Sequence, residues 1–206
     1  AASLGATMEC IKGEPDLLQA LVDPFCLAGG FRGPEQPADN KPYEDELLGQ
    51  WVTPFIMATI NSKNIHRSNA LMGHPYGEDF RYDEMMLTGP GEQGKAAAEY
   101  VAKADPLGGD DAPKPGEGPS KEAREAGNYD VLFVGTSANG EEIRAAVSGD
   151  MDPGYGSTSK MISESAVCLV TACDDLPGGI YTPAPALGQK LIERLQAHAG
   201  LTFTLE

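Results

Sequence analysis

Apolar residues recur along this chain at two periods, and each period marks a different kind of element. Ala6, Cys10 and Ile11 fit one short helical face, and Pro15 opens a second helix that carries Leu17, Leu18, Leu21 and Val22. Thr53-Pro54 predicts the next helix start, a hydroxyl cap followed by a proline whose missing N–H costs nothing there. Phe55, Ile56, Thr59 and Ile60 follow at helical spacing, and Gly73 supplies the stop. Phe80 to Leu87 alternates as a strand does, with Phe80, Tyr82 and Met86 on one face, and Lys95 to Ala104 favours helix. Tyr129 to Thr136 and Glu142 to Gly149 flank Asn139-Gly140, which predicts a hairpin closed by a type I′ turn. Met161, Ile162, Ser165, Ala166, Leu169, Val170 and Cys173 form a broad stripe that predicts a core helix. Thr182-Pro183 repeats the cap-plus-proline start, Leu187, Leu191, Ile192 and Leu195 make the apolar face, and Gly200 ends the helix before an alternating strand of Leu201, Phe203 and Leu205.

Strands mixed with helices, one clear hairpin and no repeated strand-helix-strand unit predict an α+β fold, a mixed, largely antiparallel sheet with helices packed on it. Residues 3–206 read as one domain, with long loops at about 29–46 and 105–128 that are rich in Gly, Pro and charge. A helical pattern that begins almost at Ser3 is expected of a chain cut between domains.

With 206 residues and 41% hydrophobic content, the chain can bury a real core. A net charge of -16 repels nucleic-acid phosphates and anionic lipid, which leaves small molecules and proteins as expected partners. The cysteines Cys10, Cys26, Cys168 and Cys173 make no C-x-x-C pair and read as reduced thiols. No apolar run suits a membrane span and no basic-then-apolar leader is present, so the expected location is cytoplasmic.

The strongest candidate for chemistry is the glycine-rich stretch from Gly149 to Thr158, which follows a predicted strand and opens a predicted helix. Asp152, Gly154, Gly156, Ser157, Thr158 and Lys160 could there offer N–H groups, hydroxyls and a cation to a phosphate or carboxylate. A purely structural turn explains the same glycines. The stretch is not a Walker A loop, because Ser159 stands where the second glycine belongs and Met161 follows Lys160. Nor does any apolar strand run into Gly-x-Gly-x-x-Gly, so no complete Rossmann nucleotide fold is expected.

The segment from Asn61 to Ala70 is polar after an apolar start, with Arg67 a fork for an acidic group and Asn61 and Asn69 as orienting amides; a solvated helix face explains it equally. Tyr76, Arg81, Tyr82, Tyr155 and Lys160 are candidates for proton transfer or substrate orientation. His66, His74 and His198 are too scattered for a metal site, so none is expected. A non-catalytic module that binds a small anion or a protein accounts for the same residues.

Several runs in register carry a resemblance. WVTPFIMATIN at 51–61, RSNA at 67–70, Tyr76-Gly77 with Phe80-Arg81-Tyr82, PKPGEGPS at 113–120, Gly149-Asp150 with Asp152 to Gly156, and Thr182 to Ala184 with Gly188 are similar to the saccharopine dehydrogenase-like oxidoreductases, a family that includes trans-acting enoyl reductases. The resemblance implies a C-terminal substrate-side and oligomerisation domain whose partner is an N-terminal Rossmann domain of the same polypeptide. It implies NAD(P) as the cofactor of the whole enzyme, none bound by this chain alone, a small-molecule substrate and a homo-oligomer. By their own chemistry, not by transfer from the family, Tyr155, Lys160 and Tyr82 are the expected catalytic residues, and Arg67, Asn61 and Asn69 with Asp152, Gly154, Gly156, Ser157 and Thr158 the expected substrate contacts.

Overall fold

The computed structural model describes residues 14–104 and 118–206; the helical face of Ala6, Cys10 and Ile11 and residues 105–117 of the second long loop lie outside them. The described residues fall into two compact units, 14–104 and 118–206, where the sequence reads as one domain.

In the first unit, helix α1 (Pro15–Val22) opens on its proline as expected. Strands β1 (Tyr43–Asp45), β2 (Gln50–Pro54) and β3 (Met85–Gly89) form an antiparallel sheet in that order. Helices α2 (Ala58–Leu71) and α3 (Gly91–Lys103) complete the unit. The predicted 29–46 loop thus ends in a strand, and the strand predicted from Phe80 begins only at Met85.

Thr53-Pro54 does not start a helix. Its position after Trp51 and Val52 extends a run of aromatic and β-branched residues that favour strand, Thr53 is fully buried, and its Oγ1 donates to the Ala98 carbonyl of α3 at 3.0 Å. Pro54 is the last residue of β2, where a missing N–H is tolerated. Gly73 does stop α2: its N–H reaches the Ala70 carbonyl at 3.1 Å and that of His74 reaches Asn69 at 2.8 Å, with both residues at positive φ, a Schellman closure.

In the second unit, a short helix α4 (Lys121–Ala126) interrupts the predicted 105–128 loop, because Ser120 caps it by accepting from the Ala123 N–H at 3.1 Å. Strands β4 (Tyr129–Thr136), β5 (Glu142–Gly149) and β6 (Leu201–Leu205) form a second antiparallel sheet in that order. Every strand pairing among the described residues is antiparallel, so the fold is α+β.

The hairpin lies where expected, with a different turn. The Gly140 N–H bonds the Ser137 carbonyl at 2.9 Å and only Gly140 has positive φ, which makes a type I turn with a glycine bulge in a five-residue loop. Helices α5 (Gly156–Ala172) and α6 (Pro183–His198) cover one end of the sheet. The core there is Leu195, Ala199 and Leu201, with Val147, Met161, Leu191 and Phe203 against it. The α5 stripe is only partly core: Met161 packs inward, whereas Ile162 and Val170 are 68% and 77% exposed. Helix α6 starts at Pro183 as expected, without a hydroxyl cap from Thr182, and Gly188 at φ 50° kinks it.

One contact fixes α3 on its sheet. A Cβ at Gly94 would sit 1.9 Å from the Gly89 carbonyl oxygen, and Thr88 Oγ1 donates to the Gly94 carbonyl at 2.9 Å. Gly94→Ala therefore forces backbone apart, and it is expected to destabilise the first unit by about 1–3 kcal/mol in denaturant unfolding.

Candidate functional site

Helix α2 is built inside out. Ser62, His66, Ser68 and Asn69 are buried, while Phe55, Ile56, Met57 and Ile60 at its entry are between 37% and 48% exposed. The buried polar groups find partners at once. Asn69 Nδ2 donates to the Gly77 carbonyl at 2.9 Å and its Oδ1 accepts from the Tyr76 N–H at 3.0 Å, so this amide orients the chain's own turn.

His66 lies between the rings of Phe25 and Phe80, with centroids at 4.4 and 5.8 Å. Burial lowers its pKa, and its Nε2 is 3.1 Å from Gln36 Oε1. That oxygen also accepts from the Tyr82 N–H at 2.9 Å, and Gln36 Nε2 donates to the carbonyls of Pro34 at 2.9 Å and Phe80 at 3.4 Å. One half-buried amide thereby fixes where Tyr82 sits.

Around Tyr82 the structure gathers an acidic and phenolic group. Asn61 Nδ2 donates to Glu84 Oε1 at 3.2 Å, and the Tyr43 hydroxyl lies 3.2 Å from Asp83 Oδ2. Burial, then the Glu84 charge and a hydrogen bond to that carboxylate, and last the Asp83 charge, hold the Tyr82 phenol protonated far above its ordinary range. Burial and Asp83 likewise push Tyr43 up to about 12, and burial raises the Asp83 carboxyl. Glu84 Oε2 is buried and has no hydrogen-bond partner. The cluster therefore holds a phenol that keeps its proton against the Glu84 carboxylate, next to the exposed apolar entry of α2.

Of the residues expected from sequence, Asn61 and Tyr82 come together here. Arg67 Nη1 donates to the Leu27 carbonyl at 2.7 Å, and Lys63 one turn earlier donates to that of Leu21 at 2.5 Å, so both cations tie α2 to the segment before it. Tyr76 and Phe80 join the aromatic cluster at 5.3 Å, and Arg81 is exposed. Sequence reasoning missed Gln36, Tyr43, Asp83 and Glu84. Two acids directly after Tyr82 were a readable signal; a lone Gln in a loop offered none.

The glycine-rich loop belongs to the second unit, and its helix N-terminus is already filled. Asp152 Oδ2 accepts from the N–H groups of Tyr155 at 2.7 Å and Gly156 at 3.1 Å, and its carbonyl accepts from Ser157 at 2.8 Å. Those N–H groups hold the Asp152 carboxyl below its usual range. Ser157 is fully buried on the Tyr129 hydroxyl at 2.8 Å, the Thr158 hydroxyl donates to the Pro153 carbonyl at 2.5 Å, and Lys160 pairs with Asp150 at 3.4 Å. Gly156 is buried with Met151 Cβ 3.1 Å from where its own would stand, Gly154 leaves room for the Asp152 carboxylate, and Tyr155 is 57% exposed. No group of three or more metal-ligating side chains occurs among the described residues, and no described helix is long and apolar enough to cross a membrane.

Comparison with known proteins gives this arrangement a context. Over 98% of its length the chain is 35% identical to a Mycobacterium tuberculosis protein that bears the trans-acting enoyl reductase name. Over 94% of its length it is 30% identical to the trans-acting enoyl reductases of Mycobacterium bovis and Mycobacterium ulcerans. Its homologues are enoyl reductases by name. The chain spans about half the length of these curated relatives, 54% and 52%. No family model and no solved structure matches it.

The buried neutral His66 has a consequence for acid stability. A folded pKa lowered by burial means that the unfolded chain binds the extra proton first, so stability present above about pH 6.5 is lost as pH falls below it. The His66→Gln variant is expected to flatten that slope between neutral pH and the onset of carboxylate titration, read as unfolding midpoint against pH.

Proposed function

We propose that this chain is the substrate-side and assembly half of an NAD(P)-dependent enoyl reductase of the saccharopine dehydrogenase-like kind. The observation that carries the reading is the identity to enoyl reductases over nearly the whole chain, together with their double length. A nicotinamide nucleotide supplies hydride in such chemistry, and the residues described here do not fit it. The glycine-rich helix start holds its own carboxylate, which repels a pyrophosphate. The cofactor is therefore assigned to an N-terminal Rossmann domain of the same polypeptide.

What this chain contributes is the Tyr82 cluster. Reduction of an enoyl group builds negative charge on the adjacent carbonyl oxygen, and a phenol that stays protonated is a donor suited to that oxygen. Asn61 holds Glu84 in place, and Glu84 in turn orients the phenol, which can pass its hydrogen bond from that carboxylate to the substrate oxygen. Phe55, Ile56 and Met57 just before the helix that carries Asn61, and Ile60 within it, supply exposed apolar surface fitted to an acyl chain whose head is polar. Tyr155, on the exposed side of its loop, is the second phenol that fits a proton-donor role.

In the protein that carries this chain with its nucleotide-binding part, Tyr82→Phe is expected to lower kcat for an enoyl thioester by at least about 10²-fold without changing the KM for nucleotide. Tyr155→Phe run in parallel separates the two phenols, and wild-type turnover in the Tyr82 variant removes it from the site. Titrated alone with NADPH, the chain is expected to show no saturable quenching of nicotinamide fluorescence. Tight binding would move the nucleotide site into these residues.

A further inference from the structure

Strand β4 is an edge of its sheet, pairing with β5 alone among the described residues. Edge strands are normally blunted by charge, proline, a bulge or shortness. This one has a single charge and none of the others. It runs eight residues, YDVLFVGT, with Asp130 as its only charge, no proline and an unbroken register from Tyr129↔Gly149 to Thr136↔Glu142.

The register tells which backbone groups point outward. The Ser137 N–H donates to the Glu141 carbonyl at 2.8 Å, so the bonded pairs continue at Gly135, Phe133, Val131 and Tyr129. The Glu206 N–H on the Arg144 carbonyl at 3.0 Å places the alternate β5 residues toward β6, in agreement. Asp130, Leu132, Val134 and Thr136 therefore turn their N–H and C=O groups away from the sheet.

We propose that two copies of this chain pair through β4, antiparallel about a two-fold axis at Phe133, to make one continuous six-stranded sheet. Asp130, Leu132, Val134 and Thr136 are centred on Phe133, so only this two-fold register pairs all of them. Leu132 then opposes the partner's Val134, and Val131 opposes the partner's Gly135. Asp130 meets the partner's Thr136, a hydroxyl, instead of another carboxylate. Phe133, 44% exposed, meets the partner's Phe133 on the face that also carries exposed Val131, Ile143 and Leu205. A surface complementary to itself in side chains, charge and hydrogen bonds is what a closed two-fold interface requires, and that is why the occupant is a second copy.

Sedimentation velocity of the intact chain over a concentration series is expected to show a monomer–dimer equilibrium that tightens with salt, since each copy carries a charge of -16. Val134→Pro removes only an outward N–H and should sediment as monomer with unchanged far-UV circular dichroism. Phe133→Cys places two thiols across an unbonded pair with Cα atoms about 4.5 Å apart. It should cross-link to a covalent dimer under mild oxidation, whereas Leu132→Cys should behave as the parent. A parent that stays monomeric overturns the proposal. So do dimers untouched by Val134→Pro, or a Phe133→Cys variant that cross-links no better than Leu132→Cys. Should Val134→Pro fail to fold, the cysteine pair decides alone.

Discussion

The first unit depends on a single half-buried amide, that of Gln36. Gln36 accepts at one end from His66 and from the Tyr82 N–H, and donates at the other to the Pro34 and Phe80 carbonyls. It joins a loop, a helix and an irregular segment that share no strand pairing. Leaving any of those groups unpaired in the interior costs about 1–3 kcal/mol, comparable with a sizeable share of a domain's net stability. The amide is thus the reason that residues 79–84 hold one conformation without a sheet, and the reason that Tyr82 faces Glu84 and Asp83. The same satisfaction makes the histidine a core residue: its ring is stacked, its proton is placed, and burial keeps it neutral.

The second unit solves the opposite problem, a helix start beside glycines, by using its own side chain. Gly127 packs so tightly that a Cβ there would meet the Asp152 N atom at 2.6 Å, and the Asp152 N–H itself donates to the Arg124 carbonyl at 2.9 Å. Held in this way, Asp152 is placed to collect the first N–H groups of α5. An external anion would have to displace a carboxylate that the helix dipole and two N–H groups already stabilise. The glycines therefore serve close packing, the plainer of the two readings that the spacing allows.

What the sequence revealed follows from which forces are local. Elements set by local periodicity and turn chemistry, the 129–149 hairpin, the Pro15 and Pro183 helix starts and the Gly73 and Gly200 stops, lie where the pattern puts them. Thr53-Pro54 misled because a cap is defined by backbone conformation, and here the strand-favouring Trp51 and Val52 and the Ala98 carbonyl claimed the hydroxyl for a strand. Phe80 to Glu84 misled because alternation records which side chains are buried, and an aromatic cluster buries alternate residues without a ladder. At the candidate site, Asn61 and Tyr82 were legible from residue type. Gln36 was not, since its partners come from positions up to 46 residues away.

The exposed apolar residues then acquire a physical meaning. In α2 the polar side chains occupy the interior because loops, not a sheet, pack against that face and bring unpaired carbonyls and N–H groups with them. A helix that spends its buried face on hydrogen bonds leaves its apolar residues outside, where they cost hydration and contribute nothing to folding. The same holds for Ile162 and Val170 on α5 and for Val131, Phe133 and Ile143 on the second sheet. In a chain that carries a charge of -16, such surface gains stability only when something apolar covers it. An acyl chain against the α2 entry and a second sheet against β4 meet that requirement by different means, the first through unspecific apolar contact beside a donor, the second through backbone groups that admit one register.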